Sequence, residues 1–199
     1  MLPTGEEAER LLSWARERNP GAWTDHSRVV ARAAKTIAEN CGLDAHRAYV
    51  SGLLHDIGRY KGYSNLYHIY AGYELLINKG FVPAAGICLT HSFPTQNLAE
   101  YFGENDCSEE ETKTIEMFLS SCVYDEYDKL IQLCDAIGSA AGVCLIEVRV
   151  MDVIRRYGFN NSTLDKIEAI FSLKTCFDKL CAANVYDLFH DEIRDVSCR

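Results

Sequence analysis

The chain has 199 residues, of which 29 are acidic and 20 are lysine or arginine, so its formal net charge is −9. An acidic surface repels polyanions, which argues against nucleic-acid binding through a broad basic patch but permits a small phosphorylated substrate. No apolar run has the length of a transmembrane helix, and the acidic N-terminus lacks the apolar segment of a secretory signal. We therefore expect a cytoplasmic protein that binds neither a membrane nor a nucleic-acid polymer.

The nine cysteines do not follow a metal-binding or disulfide spacing. There is no Cys-x-x-Cys pair, and the two closest cysteines are Cys176 and Cys181. Several others lie within apolar stretches, where a thiol packs as a small hydrophobic group. This usage predicts reduced thiols, which are typical of the cytoplasm.

Apolar residues recur at steps of three and four over most of the chain, and this period predicts helices. The first predicted helix has Thr24 or Asp25 as its N-cap and ends at Gly42. The others are predicted at about 44–57, 68–78, 83–91, 112–121, 125–141, 147–157, 163–182 and 185–195. We find no strand alternation longer than a few residues. The pattern predicts an all-α fold in one domain over 1–199, with residues 161–199 packed on a core of about 20–160.

Polar residues fall on the apolar faces of several predicted helices. The set comprises His26, the adjacent pair His55-Asp56, His68, His91 and Asp135. One such histidine alone is usually a core residue with a hydrogen-bond partner, but a carboxylate on a buried face is costly unless it is paired or bound to a metal. Because several helices each place a polar group inward, we predict a shared cation at the centre of a helical bundle.

Mixed imidazole and carboxylate ligands favour a divalent transition metal over magnesium or calcium. Iron is the favoured ion, with manganese, cobalt, nickel and zinc as alternatives. The prediction covers one or two ions, because the ligands alone do not fix the number.

The segment Gly52-Leu-Leu-His-Asp-Ile-Gly58 resembles the signature turn of the HD superfamily of metal-dependent phosphohydrolases. That family carries the pattern His, His-Asp, Asp on an all-helical bundle, and the matching positions here are His26, His55, Asp56 and Asp135. The segment 127–137 is similar to the helix that carries the family's final aspartate. The resemblance covers about residues 20–160 and implies a single HD-type helical bundle.

His68 and His91 are similar to two further histidines of the small bacterial HD hydrolases that split diadenosine tetraphosphate symmetrically. This resemblance implies a binuclear site, in which Asp56 bridges one metal to a second held by His68 and His91. In the mononuclear alternative, His68 or His91 protonates the leaving group. Asp56, His68 and His91 are accordingly the candidate catalytic residues.

The resemblance implies hydrolysis of a nucleotide or related small phosphate ester by a metal-activated hydroxide. Arg59 and Lys61 follow the metal-binding turn and are candidate ligands of the substrate phosphate. The alternatives are a diiron oxygenase of the HD type and a non-catalytic regulator that binds a nucleotide or metal. The apolar residues of the C-terminal helices are compatible with a homodimer.

Overall fold

The computed structural model describes residues 1–197, and over this range the chain is a bundle of α-helices. The helices are α1 (Gly5–Arg18), α2 (Trp23–Cys41), α3 (Ala45–Leu54), α4 (Tyr67–Asn78), α5 (Val82–Thr90), α6 (Glu109–Ser121), α7 (Glu126–Ile137), α8 (Ile146–Tyr157), α9 (Thr163–Leu180) and α10 (His190–Ser197). Short 3₁₀ helices span Ile57–Lys61, Leu98–Glu100 and Val185–Phe189. The predicted all-α fold is confirmed.

The strand content of the described residues is one small antiparallel hairpin. Its strands are β1 (Gly138–Ser139) and β2 (Gly142–Val143), with Gly138 paired to Val143. The hairpin directly follows α7, so the helix predicted at 125–141 ends four residues early, at Ile137.

Other helix boundaries also differ from the predicted ones. The N-cap of α2 is Ala22 rather than Thr24 or Asp25, although the helix ends as predicted before Gly42, whose φ is +73°. Asp44 caps α3 and accepts hydrogen bonds from two backbone N–H groups. That helix ends at Leu54 rather than Ile57, because the chain turns into a 3₁₀ helix after the His-Asp pair. Helix α1 was not predicted.

Helices α2 and α3 pack closely because Gly52 has no side chain. A Cβ at Gly52 would lie 2.7 Å from the Cα of Ala31. On its other side, α2 joins an apolar core with α7 and α9, in which Ile37, Ile131 and Phe177 are buried. Helix α9, from the C-terminal part of the chain, therefore packs on the same core as helices α2 and α7, which carry polar residues of the predicted set.

Cys41 at the end of α2 and Cys181 after α9 form a disulfide, with their Cα atoms 4.5 Å apart. The prediction that the cysteines are reduced is wrong for this pair. Its members are 140 residues apart in the sequence, so local spacing gave no sign of it. Cys88, Cys134 and Cys144 are free and buried, as expected for small hydrophobic groups. Cys198 lies outside the described residues.

A bilayer-spanning helix needs a long, apolar sequence. Within residues 1–197, no helix is both long enough and apolar enough to span a bilayer.

Candidate metal centre

Six polar side chains from five parts of the bundle meet at its centre. They are His26 on α2, His55 and Asp56 after α3, His68 on α4, His91 after α5, and Asp135 on α7. All except Asp135 are buried, and the Asp135 side chain is 27% exposed. The structure therefore brings together every residue that the sequence predicts as a metal ligand.

Asp135 is the centre of one half of this cluster. Its Oδ1 atom lies 2.9 Å from Nε2 of His26 and 3.8 Å from Nε2 of His55. The shorter contact is a hydrogen bond in which Nε2–H of His26 donates to Asp135, because a carboxylate oxygen can only accept. A metal ion bound at this end would replace that proton, so its binding would release a proton to solvent.

Asp56 is the centre of the other half, and its two oxygens face different partners. Oδ1 lies 3.0 Å from Nε2 of His68 and 3.7 Å from Nε2 of His91. Oδ2 accepts a hydrogen bond of 2.6 Å from Nε of Arg59 and lies 3.9 Å from Nε2 of His55. A carboxylate with a different environment at each oxygen is suited to a position between two cations.

Three of the histidines are oriented by the backbone of the preceding turn. Nδ1 of His55 lies 2.7 Å from the carbonyl oxygen of Gly52, and Nδ1 of His91 lies 2.9 Å from that of Cys88. Nδ1 of His68 contacts the carbonyl oxygen of Asn65 in the same way. A carbonyl can only accept, so each Nδ1 carries the proton and each Nε2 presents a lone pair to the cluster.

Three buried atoms of the cluster have no hydrogen-bond partner within the described chain. They are Nδ1 of His26, Nε2 of His55 and Oδ1 of Asp56. Two sets of ligand atoms, from His26, His55 and Asp135 and from His55, Asp56 and His91, each fall within 4.8 Å of one another. Buried polar atoms without partners are rare, and neutral imidazoles with carboxylates bind transition metals. The residues therefore fit a divalent transition metal.

The cluster's ionisation states suit cation binding. Burial favours the neutral form of Asp56, but the nearby guanidinium group of Arg59 holds the pKa of this carboxyl well below its ordinary value. For Asp135, burial is likewise outweighed by the hydrogen bond from His26, which lowers the pKa. Burial also lowers the pKa of His91 to about 3. Near neutral pH the carboxylates are charged and His91 is neutral, as metal ligation requires.

The part of the chain that matches a known family includes the whole cluster. The model of the HD domain family matches residues 23–138, which contain all six side chains. The chain belongs to the HD domain family. A search of curated proteins gave no match.

Solved structures similar to this HD chain include the HD domain of the L. monocytogenes phosphodiesterase PgpH, at 19% identity. That comparison has a TM-score of 0.49 and covers 86% of this chain and 95% of the PgpH chain. The same domain in complex with cyclic-di-AMP is also 19% identical, with a TM-score of 0.41 and coverages of 87% and 94%.

The HD cluster opens into a cavity of about 690 Å³. Its lining includes His26, Asp56, His91 and Asp135, so a ligand in the cavity would contact the candidate metal site directly. Aromatic side chains form part of the wall and supply apolar area for a substrate. They are Trp23, Tyr63, Tyr101, Phe102 and Tyr157.

The two predicted phosphate ligands occupy different places. Arg59 lines the cavity, pairs with Asp56, and has Nη2 3.4 Å from Nε2 of His68. Lys61 is exposed and is not among the lining residues. Its ammonium lies 5.4 Å from the centre of the Tyr60 ring. A phosphate-binding role for either residue stays a prediction, and the geometry favours Arg59.

Sequence reasoning missed four charged residues that line the cavity: Arg149, Asp152 and Arg156 on α8, and Lys166 on α9. Arg149, Asp152 and Arg156 are spaced by three and four residues, which places them on one face of a helix. This spacing is visible in the sequence and could have indicated a charged helix face. Lys166 is buried, and its ammonium donates hydrogen bonds to the carbonyl oxygens of Ser92 and Glu100. The sequence carried no comparable signal for Lys166.

Proposed function

We propose that this HD protein is a metal-dependent phosphohydrolase that acts on a nucleotide or a related small phosphate ester. The observation that carries the proposal is the cluster of four histidines and two carboxylates, all buried except Asp135, at the wall of a cavity that also holds cationic side chains. Such a site combines metal ligands with groups that attract a phosphate.

The geometry supports a binuclear arrangement. His26, His55, Asp56 and Asp135 would hold one ion, while His68 and His91 would hold a second, with Asp56 between the two. The carboxylate of Asp56 has neighbours at both oxygens, as a bridging ligand requires. A divalent transition metal bound here supplies Lewis acidity and lowers the pKa of a coordinated water. Iron is the ion we favour for this ligand set.

The protein's own residues would prepare the substrate for attack. Arg59 lies at the cavity wall beside Asp56 and would orient a phosphoryl group by charge-assisted hydrogen bonds. The aromatic wall would pack against a base or sugar and exclude water. If only one ion binds, the Nε2 atom of His68 or His91 would be available to carry a proton to the leaving oxygen.

The test is phosphate release from a panel of nucleotides that includes diadenosine tetraphosphate. The protein would be supplied in turn with iron(II), manganese, cobalt, nickel and zinc, and compared with the Asp56→Asn variant. Turnover that depends on the metal and is lost in the variant would support the hydrolase. Oxygen uptake by the iron-loaded protein, without phosphate release, would instead support the diiron oxygenase.

Binding of nucleotide or metal without any turnover would support a non-catalytic regulator. The assay would measure bound metal in the same samples, so that an inactive protein is not confused with an unloaded one.

A further inference from the structure

Helix α8 forms a wall of the cavity and is weakly anchored to the core. Ile146 is the only buried residue among its twelve. The face that lines the cavity contains Arg149, Asp152 and Arg156, together with apolar side chains. These residues lie outside the segment 23–138 that the HD family model matches. They are therefore features of this chain rather than of the matched HD segment.

The three charged residues form a connected group. Oδ2 of Asp152 accepts hydrogen bonds from Nη1 of Arg149 at 3.1 Å and from Nη2 of Arg156 at 2.8 Å. One carboxylate between two guanidinium groups leaves a net positive charge. Because each guanidinium has five N–H donors, donors remain on both sides of Asp152 for an anion in the cavity.

The group begins close to the candidate metal centre. Nε of Arg149 donates a 2.9 Å hydrogen bond to the carbonyl oxygen of Gly138, which is at the start of the β-hairpin. A Cβ at Gly138 would stand 3.4 Å from Cε1 of His26. Arg149 is thus fixed beside the ligand cluster. The guanidinium group of Arg156 lies next to that of Arg149, because both donate to the same oxygen of Asp152.

A cationic wall is unexpected in a chain with a net charge of −9. Lys166 also lines the cavity and also lies outside the segment that the HD family model matches, but its ammonium already donates to two backbone carbonyls. Arg59 is paired with Asp56 at the metal end. Arg149 and Arg156 are therefore the cavity's cations best placed to bind an anionic group at a distance from the reacting phosphate.

We propose that Arg149 and Arg156 bind a second anionic group of the substrate, so that the protein selects molecules with at least two phosphoryl groups. This inference rests on the proposed phosphohydrolase function, whose substrate class it narrows. Asp152 acts as a positioning residue because it holds the two guanidinium groups toward each other. One phosphoryl group would lie at the HD cluster and another against α8.

The test compares the binding of AMP and ADP by calorimetry, with chelator present so that no turnover occurs. The two probes share the nucleoside and differ by one phosphoryl group. We expect the native protein to bind ADP more tightly than AMP. The Arg156→Gln variant should bind ADP about tenfold more weakly, because it loses one charge-assisted contact. Its affinity for AMP should change little.

Arg155→Gln is the matched control. Arg155 is the neighbouring residue on the same helix, is exposed, and is not among the lining residues. Both substitutions remove one positive charge, so a long-range field effect would weaken ADP binding equally in the two variants. Equal loss, or the absence of an ADP preference in the native protein, would overturn the inference.

Phosphate release by the same preparations with metal added separates the two proposals. A protein that prefers ADP through Arg156 but hydrolyses nothing would contradict the proposed function and leave the anion site standing. A protein that hydrolyses AMP and ADP equally, with no effect of Arg156→Gln, would support the function and overturn the site.

Discussion

Gly58 packs its backbone directly against the carbonyl oxygen of His68, and no room is left there for a Cβ atom. The same contact places the 3₁₀ helix that follows the His-Asp pair against α4. Asp56 and His68, which are twelve residues apart in the sequence, come within 3.0 Å because of this approach. The glycine is therefore required by the geometry of the candidate site and not by the turn alone.

Replacing Gly58 with alanine should disrupt both stability and the site. Forcing the backbone apart should cost about 3 kcal/mol or more, which lowers the melting temperature by roughly 6–12 °C in a chain of this size. Gly86→Ala is the control, because a Cβ there meets only Cζ of Phe118 at an ordinary 3.6 Å. Thermal unfolding of the two variants checks the prediction, and equal melting temperatures would contradict it.

Replacing His68 with alanine separates the binuclear from the mononuclear arrangement. If His68 holds a second ion, the bound metal measured by elemental analysis should fall from about two ions per chain toward one. His46→Ala is the control, because His46 is exposed and lies outside the cluster. Unchanged metal content together with lost turnover would show that His68 acts as a proton donor instead.

Arg59 and Lys61 should differ in their contribution to catalysis. Arg59→Gln removes a charge from the cavity wall, and kcat/KM should fall by about tenfold or more if that charge binds the phosphate. Lys61→Gln removes the same charge from an exposed position outside the lining, so its effect should be less than about twofold. Steady-state kinetics of both variants, with metal content measured, test this ordering. A larger effect at Lys61 would reverse the assignment.

The metal-free protein should lose stability in mild acid. Burial lowers the pKa of His91 to about 3 from an ordinary 6.5. Between these values the unfolded chain binds more protons than the folded one, so the free energy of unfolding falls as the pH falls. This residue alone contributes a slope of up to about 1.4 kcal/mol per pH unit.

Urea unfolding between pH 7 and pH 5 with chelator present measures that slope, and the His91→Asn variant should show a smaller one. His190→Asn provides a comparison at a histidine outside the cluster. If the native protein and His91→Asn have the same pH dependence, His91 is not the group responsible.

The sequence carried enough information for the helices after α1 and for the cluster, but not for the cavity wall. His26 and Asp135 are 109 residues apart, yet each follows the apolar period of its own helix, which predicts that both point inward. The ends of α3 and α7 were missed because they depend on the 3₁₀ helix and on the hairpin, which are set by packing. Arg149 and Lys166 lie in helices whose orientation the sequence does not encode locally.

The backbone hydrogen bonds of His55, His68 and His91 have a consequence for redesign of the site. Each ring has its Nδ1 atom bound to a carbonyl three residues earlier in the chain, so this contact comes from the backbone and not from a side chain. Substitutions in the surrounding wall can therefore alter which molecule the cavity accepts while the imidazoles keep their tautomer.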